Sequence, residues 1–477
     1  MPKNFYITTT LPYVNSEPHI GFAMEIVRAD VIARAKTLQG FEVFFNTGTD
    51  EHGAKILEKS IESGKPVKEY VDQYALKFKD LKDVLGLSSD VHFIRTTDEH
   101  HISAAQEFWK RCRDKGDIYK KNYKTKYCTG CELEKTDSEL IDGRCPIHPN
   151  MEIETREEEN YFFRFSNYQK PLLDFYNSNP NFVVPDFRFN EIKSFVERGL
   201  QDFSISRLKE KMSWGVPVPD DEKHVMYVWF DALVNYISTL GWPENEDNFE
   251  KYWANGTPVQ YAGKDNLRQQ SAMWQAMLMS AGLPNSRNIV INGFINSGGQ
   301  KMSKSLGNFI NPKEIVAEYG IDALRCYLLK DLSNFEDSDV TLDKFRDSYN
   351  ANLANGLGNL VSRIMKMAQD NLDSPVSVQN HNDKMYFEFL NNFEINKACD
   401  YIWLHIGLLD QKIQEEQPFK VVKTNKEVGQ RIISDLVSKL YLIASMLEPI
   451  LPETSTKIKT LIKSNKAPQE PLFIRKD

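Results

Sequence analysis

The sequence predicts an α/β protein: a doubly wound parallel sheet, split by a cysteine-bearing connective insertion and followed by an all-α bundle. Three observations predict it. The first fifty residues run strand, loop, helix, strand, the opening unit of a parallel sheet. That alternation stops between about Lys120 and Arg164, where the chain is charged, carries cysteines and has little periodic pattern. After about Asp343 strand signals vanish and amphipathic runs of helical period take over.

In order along the chain, Phe5-Tyr6-Ile7-Thr8-Thr9-Thr10 is β-branched and aromatic and reads as a strand. A turn-rich loop with Pro12, Asn15, Ser16 and Pro18 follows. Met24, Val27, Val31 and Leu38 then recur at helical spacing, which starts a helix near His19. Glu42 to Asn46 is a second strand, and sheet-like runs return at Met226 to Phe230, Val259 to Ala262 and Ile289 to Ile291. Leu353 to Met367, Met385 to Gln417 and Val428 to Leu447 read as helices, with Pro375, Pro418, Pro449 and Pro452 at their breaks. The expected domains are 1–115 and 226–300 for the two sheet halves, 116–225 for the insertion with a knuckle at about 126–150, 301–345 for a lysine loop and its sequel, and 346–477 for the bundle.

A length of 477 residues suits about three domains, and 41% apolar residues suit a globular chain. No stretch approaches the roughly 20 apolar residues that cross a bilayer. The chain enters its first strand at once, leaving no room for a signal peptide, so a cytoplasmic location with no membrane partner is expected. A net charge of −8 argues against a protein coated in nucleic acid. From Arg346 onward, however, 17 Lys plus Arg face 16 Asp plus Glu, and the end of the chain is basic (Lys457, Lys459, Lys463, Lys466, Arg475, Lys476). A phosphate backbone and a solvated helix face both account for that.

Three motifs carry chemistry. Pro18-His19-Ile20-Gly21 lies where a loop becomes a helix. Helix N-termini bind phosphate, a glycine there lets a nucleotide approach, and a histidine in that turn donates to phosphate or caps the helix. Lys301-Met302-Ser303-Lys304-Ser305 follows Gly298-Gly299 and sets two ammonium groups three residues apart, suited to a polyphosphate. Among six cysteines, Cys128-Thr129-Gly130-Cys131 and Cys145-Pro146-Ile147-His148 form two ligand pairs with thirteen residues between them. Two residues between ligands lets a tight turn aim both at one tetrahedral ion, so the spacing points to one structural zinc with a Cys₃His shell; a redox dithiol leaves the second pair unexplained.

With the histidine and lysine motifs in this order, the sequence resembles a class I aminoacyl-tRNA synthetase. Leu11-Pro12-Tyr13, Thr47 to Gly53, Glu159 to Phe163, Ser213 to Pro217, Tyr227 to Leu233 and Gly263-Lys264-Asp265 resemble its methionyl branch, over residues 5 to about 450. The resemblance implies a Rossmann-like catalytic sheet and an anticodon-binding bundle. It implies ATP-dependent attachment of L-methionine to tRNA(Met), initiator and elongator, through a methionyl-adenylate. His19, Lys301 and Lys304 match the catalytic positions; with Gly21, Gly263 and Asp265 they match those that hold ATP, which comes with Mg2+. Leu11, Tyr13, Asp50, Trp229, Ala232, Tyr236 and Gln270 match the methionine pocket, and Asn359, Arg363 and Phe419 the anticodon-reading positions. The zinc knuckle lies near the active site in that family. The appended dimerisation domain of some members has no counterpart, so a monomer is the simplest expectation. Phe22, Asn266 and Gln270 depart from the family pattern, which keeps open a relative that binds RNA without adenylate chemistry. A synthetase for another apolar amino acid is disfavoured because no large editing insertion is present.

Overall fold

The computed structural model describes residues 3–15, 17–131, 133–135, 139–301, 309–379 and 383–477. Residues 302–308 of the lysine loop, Lys304 among them, lie outside the described residues, and Lys301 ends the short strand Gln300–Lys301.

Six strands form the central sheet: β1 (Asn4–Thr8), β2 (Glu42–Thr49), β3 (His92–Arg95), β4 (Val183–Val184), β5 (Thr257–Gly263) and β6 (Asn288–Asn292). Their order is β3-β2-β1-β5-β6-β4 and every pairing is parallel, with Ile7 between Phe45 and Val259. All five residues of β1 are buried because helices cover both faces, which is why the strand reads as a continuous run rather than an alternation.

The helix Ile20–Leu38 lies against this sheet and is buried on nearly every side. Its early periodic residues are core, but Leu38, expected there too, is 37% exposed at the helix end. The edge strand β4 comes from inside the stretch read as insertion, pairing with Ile289 and Val290. The first part of that stretch is a long antiparallel hairpin, Ile118–Cys128 with Glu154–Phe163, registered from Ile118 opposite Phe163 to Tyr127 opposite Glu154. Charged residues along both strands hid this hairpin from a pattern search.

Two further expectations are corrected. Met226 to Phe230 is not one strand: Asp221–Met226 is extended and Val228–Ala232 is a short helix. A five-residue apolar run satisfies the burial of either, so periodicity does not separate them. Met385 to Gln417 is two helices, Lys384–Asn391 and Ile395–Glu416, broken at Phe393, whose φ is 62°. The bundle continues through Pro418–Thr424, Lys426–Leu447 and Pro452–Ser464, with Pro418 and Pro452 at helix starts, where a missing N–H costs nothing.

One apolar cluster runs from Phe5 and Ile7 on the sheet, through Val27 and Val31, to Leu447 and Ile450 in the bundle. Each buried Leu or Ile contributes roughly 1.5–3 kcal/mol, so the bundle and this sheet face share one core. A second cluster packs the other sheet face against the insertion. Among the described residues no helix is long and apolar enough to cross a membrane.

Candidate active site and metal centre

The sheet order turns back between β1 and β5, and the loops leaving β1, β2 and β5 lie at that switch point, where doubly wound sheets have their ligand crevice. His19 is the N-cap of the helix that follows β1: its Nδ1 accepts from the backbone N–H of Gly21 at 3.1 Å. With Nδ1 used as acceptor, the neutral ring carries its proton on Nε2 and presents a donor. Cap and donor are therefore one arrangement. A Cβ on Gly21 would sit 2.9 Å from His19 Cε1, so only glycine admits this ring position. Phe22 turns away and packs edge-on against Phe78, with ring centroids 5.5 Å apart.

The loop after β1 is stitched to the end of β2. Asp50 N donates to Pro12 O at 3.0 Å and Val14 N donates to Asp50 O at 3.3 Å, which sets Leu11 and Tyr13 beside the buried Asp50. Thr10 is held from the helix, its N–H and hydroxyl both donating to Glu25 Oε1 at 2.8 and 2.5 Å. Tyr13 and Trp229 pack on Tyr227, Val228 and Ala232, so three of the expected pocket residues meet in one small apolar cluster. Tyr236 and Gln270 lie deeper. Gln270 Nε2 donates to the Tyr236 hydroxyl at 2.6 Å and its Oε1 accepts from Gln260 at 2.8 Å, so the amide is committed at both ends. At the end of β5, a Cβ on Gly263 would lie 2.7 Å from the Asp265 carboxylate. Asp265 is exposed at the crevice mouth, and Asn266 donates to it at 3.4 Å.

Several supporting groups escaped the sequence reading. The buried Glu51 carboxylate takes Arg95 Nε and Nη2 at 2.7 and 2.8 Å and the hydroxyls of Thr49 and Thr97 at 2.7 and 2.6 Å. Trp214 Nε1 donates to Glu51 O at 2.6 Å, and His52 Nδ1 lies 3.1 Å from Asp231. Burial raises the Asp231 carboxyl above its usual range, opposed by His52. The residues flanking Asp50 thus form a braced platform. Glu25 is the other: burial pushes its carboxyl up to about 7, against the Thr10 hydrogen bonds. A lone carboxylate inside Ala23-Met24-Glu25-Ile26-Val27 was the available signal.

At the hairpin tip the sulfurs of Cys128, Cys131 and Cys145 and a ring nitrogen of His148 lie within 4.8 Å of one another. Their separations include 3.4 Å between Cys131 and Cys145 and 3.2, 3.8 and 4.0 Å from His148 Nδ1 to Cys131, Cys128 and Cys145. Ligands at 2.0–2.3 Å from a tetrahedral ion stand roughly 3.5–3.8 Å apart, so this donor set fits one. A Cβ on Gly130 would fall 2.4 Å from His148 Cγ, so the glycine makes room for the fourth ligand. The knuckle is tied to both sides of the crevice: Lys55 Nζ donates to Gly130 O at 2.8 Å and Arg268 Nη1 to Glu139 Oε1 at 3.1 Å.

In the bundle, Asn359 and Arg363 are one turn apart on the helix Asn359–Asn371, and Arg363 is paired with Asp410. Phe419 is 43% exposed at the start of the short helix that follows the one carrying Asp410. These three share the bundle, apart from the crevice.

This is the architecture of a doubly wound α/β protein with its ligand crevice at the switch point. A family model described as "tRNA synthetases class I (M)" matches residues 5–153 and 134–365. Methionine--tRNA ligase of Thermotoga maritima is 40% identical over 98% of this chain and 76% of that protein. That of Thermosynechococcus vestitus is 40% identical over 96% and 90%. A Mycobacterium tuberculosis methionyl-tRNA synthetase in complex with methionyl-adenylate superposes with a TM-score of 0.90 at 33% identity, covering 100% of both chains. The chain belongs to the methionine branch of the class I tRNA synthetases.

Proposed function

We propose that this chain is a methionine--tRNA ligase that activates L-methionine with ATP and passes it to tRNA(Met), initiator and elongator alike. The observation that carries the reading is the pairing of a buried carboxylate, Asp50, with the Tyr13, Trp229 and Ala232 cluster, next to the helix end capped by His19. Asp50 is suited to hold the methionine ammonium by a charge-assisted hydrogen bond. Leu11, Tyr13, Trp229 and Ala232 suit the thioether, since aromatic rings and a polarizable sulfur attract by roughly 0.3–1.5 kcal/mol per contact. Tyr236, fixed by Gln270, closes the base of this pocket.

His19 Nε2–H and the positive end of the helix dipole are suited to the phosphates, and Gly21 and Gly263 give the nucleotide close access. Asp265 holds the ribose. Lys301 and Lys304 bring positive charge to the triphosphate, and Mg2+ arrives with ATP as part of the substrate. A methionine carboxylate oxygen attacks the α-phosphorus; that P–O bond forms as the bond to pyrophosphate breaks. A ribose hydroxyl of the tRNA's terminal adenosine then attacks the activated carbonyl and AMP leaves. No protein nucleophile takes part, so positioning and charge stabilisation supply the rate.

Cys128, Cys131, Cys145 and His148 hold a structural zinc whose chemistry is to fold the knuckle. Asn359, Arg363 and Phe419 read the anticodon, Phe419 by stacking on an unpaired base. The working form is a cytoplasmic monomer.

Exchange of labelled pyrophosphate into ATP tests the reading. Methionine supports exchange, leucine, isoleucine and valine do not, and Asp50→Asn loses on the order of 10²-fold in kcat/KM for methionine. Absence of exchange at saturating methionine would leave an RNA-binding relative without the chemistry.

A further inference from the structure

The helix carrying His19 and the bundle share an apolar core, and both are also hydrogen-bonded to the short stretch Ile321 to Asn334, where two buried arginines, Arg28 and Arg325, make the links. Arg325, with a fully buried side chain, reaches four ways: Nη2 to Asp30 Oδ2 at 2.8 Å and to Pro449 O at 2.9 Å, Nε to Ile450 O at 2.9 Å, and Nη1 to Leu85 O at 3.1 Å. Asp30 belongs to the His19 helix, while Pro449 and Ile450 form the turn between the last two bundle helices. One turn earlier, Asp322 accepts from Thr454 N at 2.6 Å, so the same short helix holds that turn from both sides. Arg28, 1% exposed, donates to Asn334 O at 2.9 Å, Ser333 O at 2.7 Å, Leu332 O at 3.2 Å and Asn292 Oδ1 at 3.1 Å. From the other side Asn396, in the first turn of Ile395–Glu416, donates to Leu329 O at 2.9 Å and Leu332 O at 2.8 Å. The Leu332 carbonyl therefore receives both the His19 helix and the bundle.

Apolar contact is non-directional and does not by itself select one angle between the parts it joins. A guanidinium bound on several edges does, because each displaced orientation leaves a buried donor unpaired. Resting on the function proposed above, we propose that Arg28, Arg325 and Asn396 are positioning residues for acyl transfer. They set the angle between the crevice and the bundle face of Asn359, Arg363 and Phe419, so that one tRNA reaches both. Adenylate formation draws only on groups at the crevice and does not depend on that angle. Transfer does, because a small error at the joint grows along the length of the RNA and displaces the terminal ribose, and displacements near 1 Å cost about 10²-fold in rate.

The test compares Asn396→Ala and Arg325→Lys with the unaltered chain. Asn396 is neutral and only partly buried, so its variant keeps the fold if Arg325→Lys does not; thermal unfolding by circular dichroism checks both. Four readouts follow: methionine-dependent exchange, single-turnover transfer from preformed methionyl-adenylate, and binding of a full tRNA(Met) transcript and of its isolated anticodon stem-loop. The expected result is exchange and stem-loop binding within about twofold of the unaltered chain, with transfer slowed roughly tenfold or more and full-length tRNA bound more weakly. Parallel loss of exchange and transfer, or no loss in either, overturns the proposal. Were the unaltered chain to show no exchange, the ligase reading would fall by itself. The contrast between full-length and stem-loop RNA would still decide the joint: equal weakening of both, or of neither, overturns it.

Discussion

Glu25 is a single side chain whose environment sets a measurable property of the whole protein. Its carboxyl is pushed to about 7, from an ordinary 4.5, by burial. Asp265 raises it further, while Thr10 and Arg28 oppose. The folded state thus retains a proton that the unfolded chain releases. The contribution to stability is full below the unfolded value and is lost as pH rises through the folded one, over roughly pH 4.5 to 7, with an upper bound on the order of 3 kcal/mol. Glu25→Gln removes this term. Urea unfolding at pH 5.5 and pH 8 is expected to show a fall in midpoint for the unaltered chain that shrinks in the variant; equal falls would refute it. At the same scale the structure gives each of the three residues expected to depart from the family pattern a local partner. Phe22 packs on Phe78, Asn266 donates to Asp265, and Gln270 braces Tyr236.

The cysteine knuckle shows what one element contributes. Its four donors were legible from spacing alone, since each pair is closed by a local turn. Its attachment was not: the links from Lys55 to Gly130 and from Arg268 to Glu139 join residues 75 and 129 positions apart. Gly130→Ala places a methyl carbon 2.4 Å from His148 Cγ and forces the fourth ligand aside. Zinc affinity, read by competition with a chromogenic chelator, is expected to fall about 10–100-fold. Unchanged zinc retention would show that His148 is not a ligand. The strand expected across Met226 to Phe230 marks the opposite case. Its apolar residues meet the pocket from a helix, and no local pattern separates the two.

On the scale of the whole molecule the crevice and the exposed Phe419 belong to one chain with a continuous core, as the proposed engagement of both by one RNA requires. Phe419→Ala removes a stacking surface of roughly 1–3 kcal/mol, so kcat/KM for tRNA charging is expected to fall about 5–150-fold. The exchange reaction, which contains no tRNA, serves as the control; an unchanged charging rate would remove Phe419 from the anticodon site. By itself the sequence determined the parallel sheet, the helix starting at His19, the metal donors and the helical third. Each is written in short-range spacing: apolar period, turn residues, capping positions and ligand pairs. Only the tertiary structure decided which charges are buried and what they hold. Asp30 meets Arg325 across 295 residues, Arg28 meets Asn334 across 306, and Glu51 meets Arg95 across 44. Such pairs leave no periodic trace, because a buried charge is set by partners that folding brings together, and its neighbours in the chain do not name them.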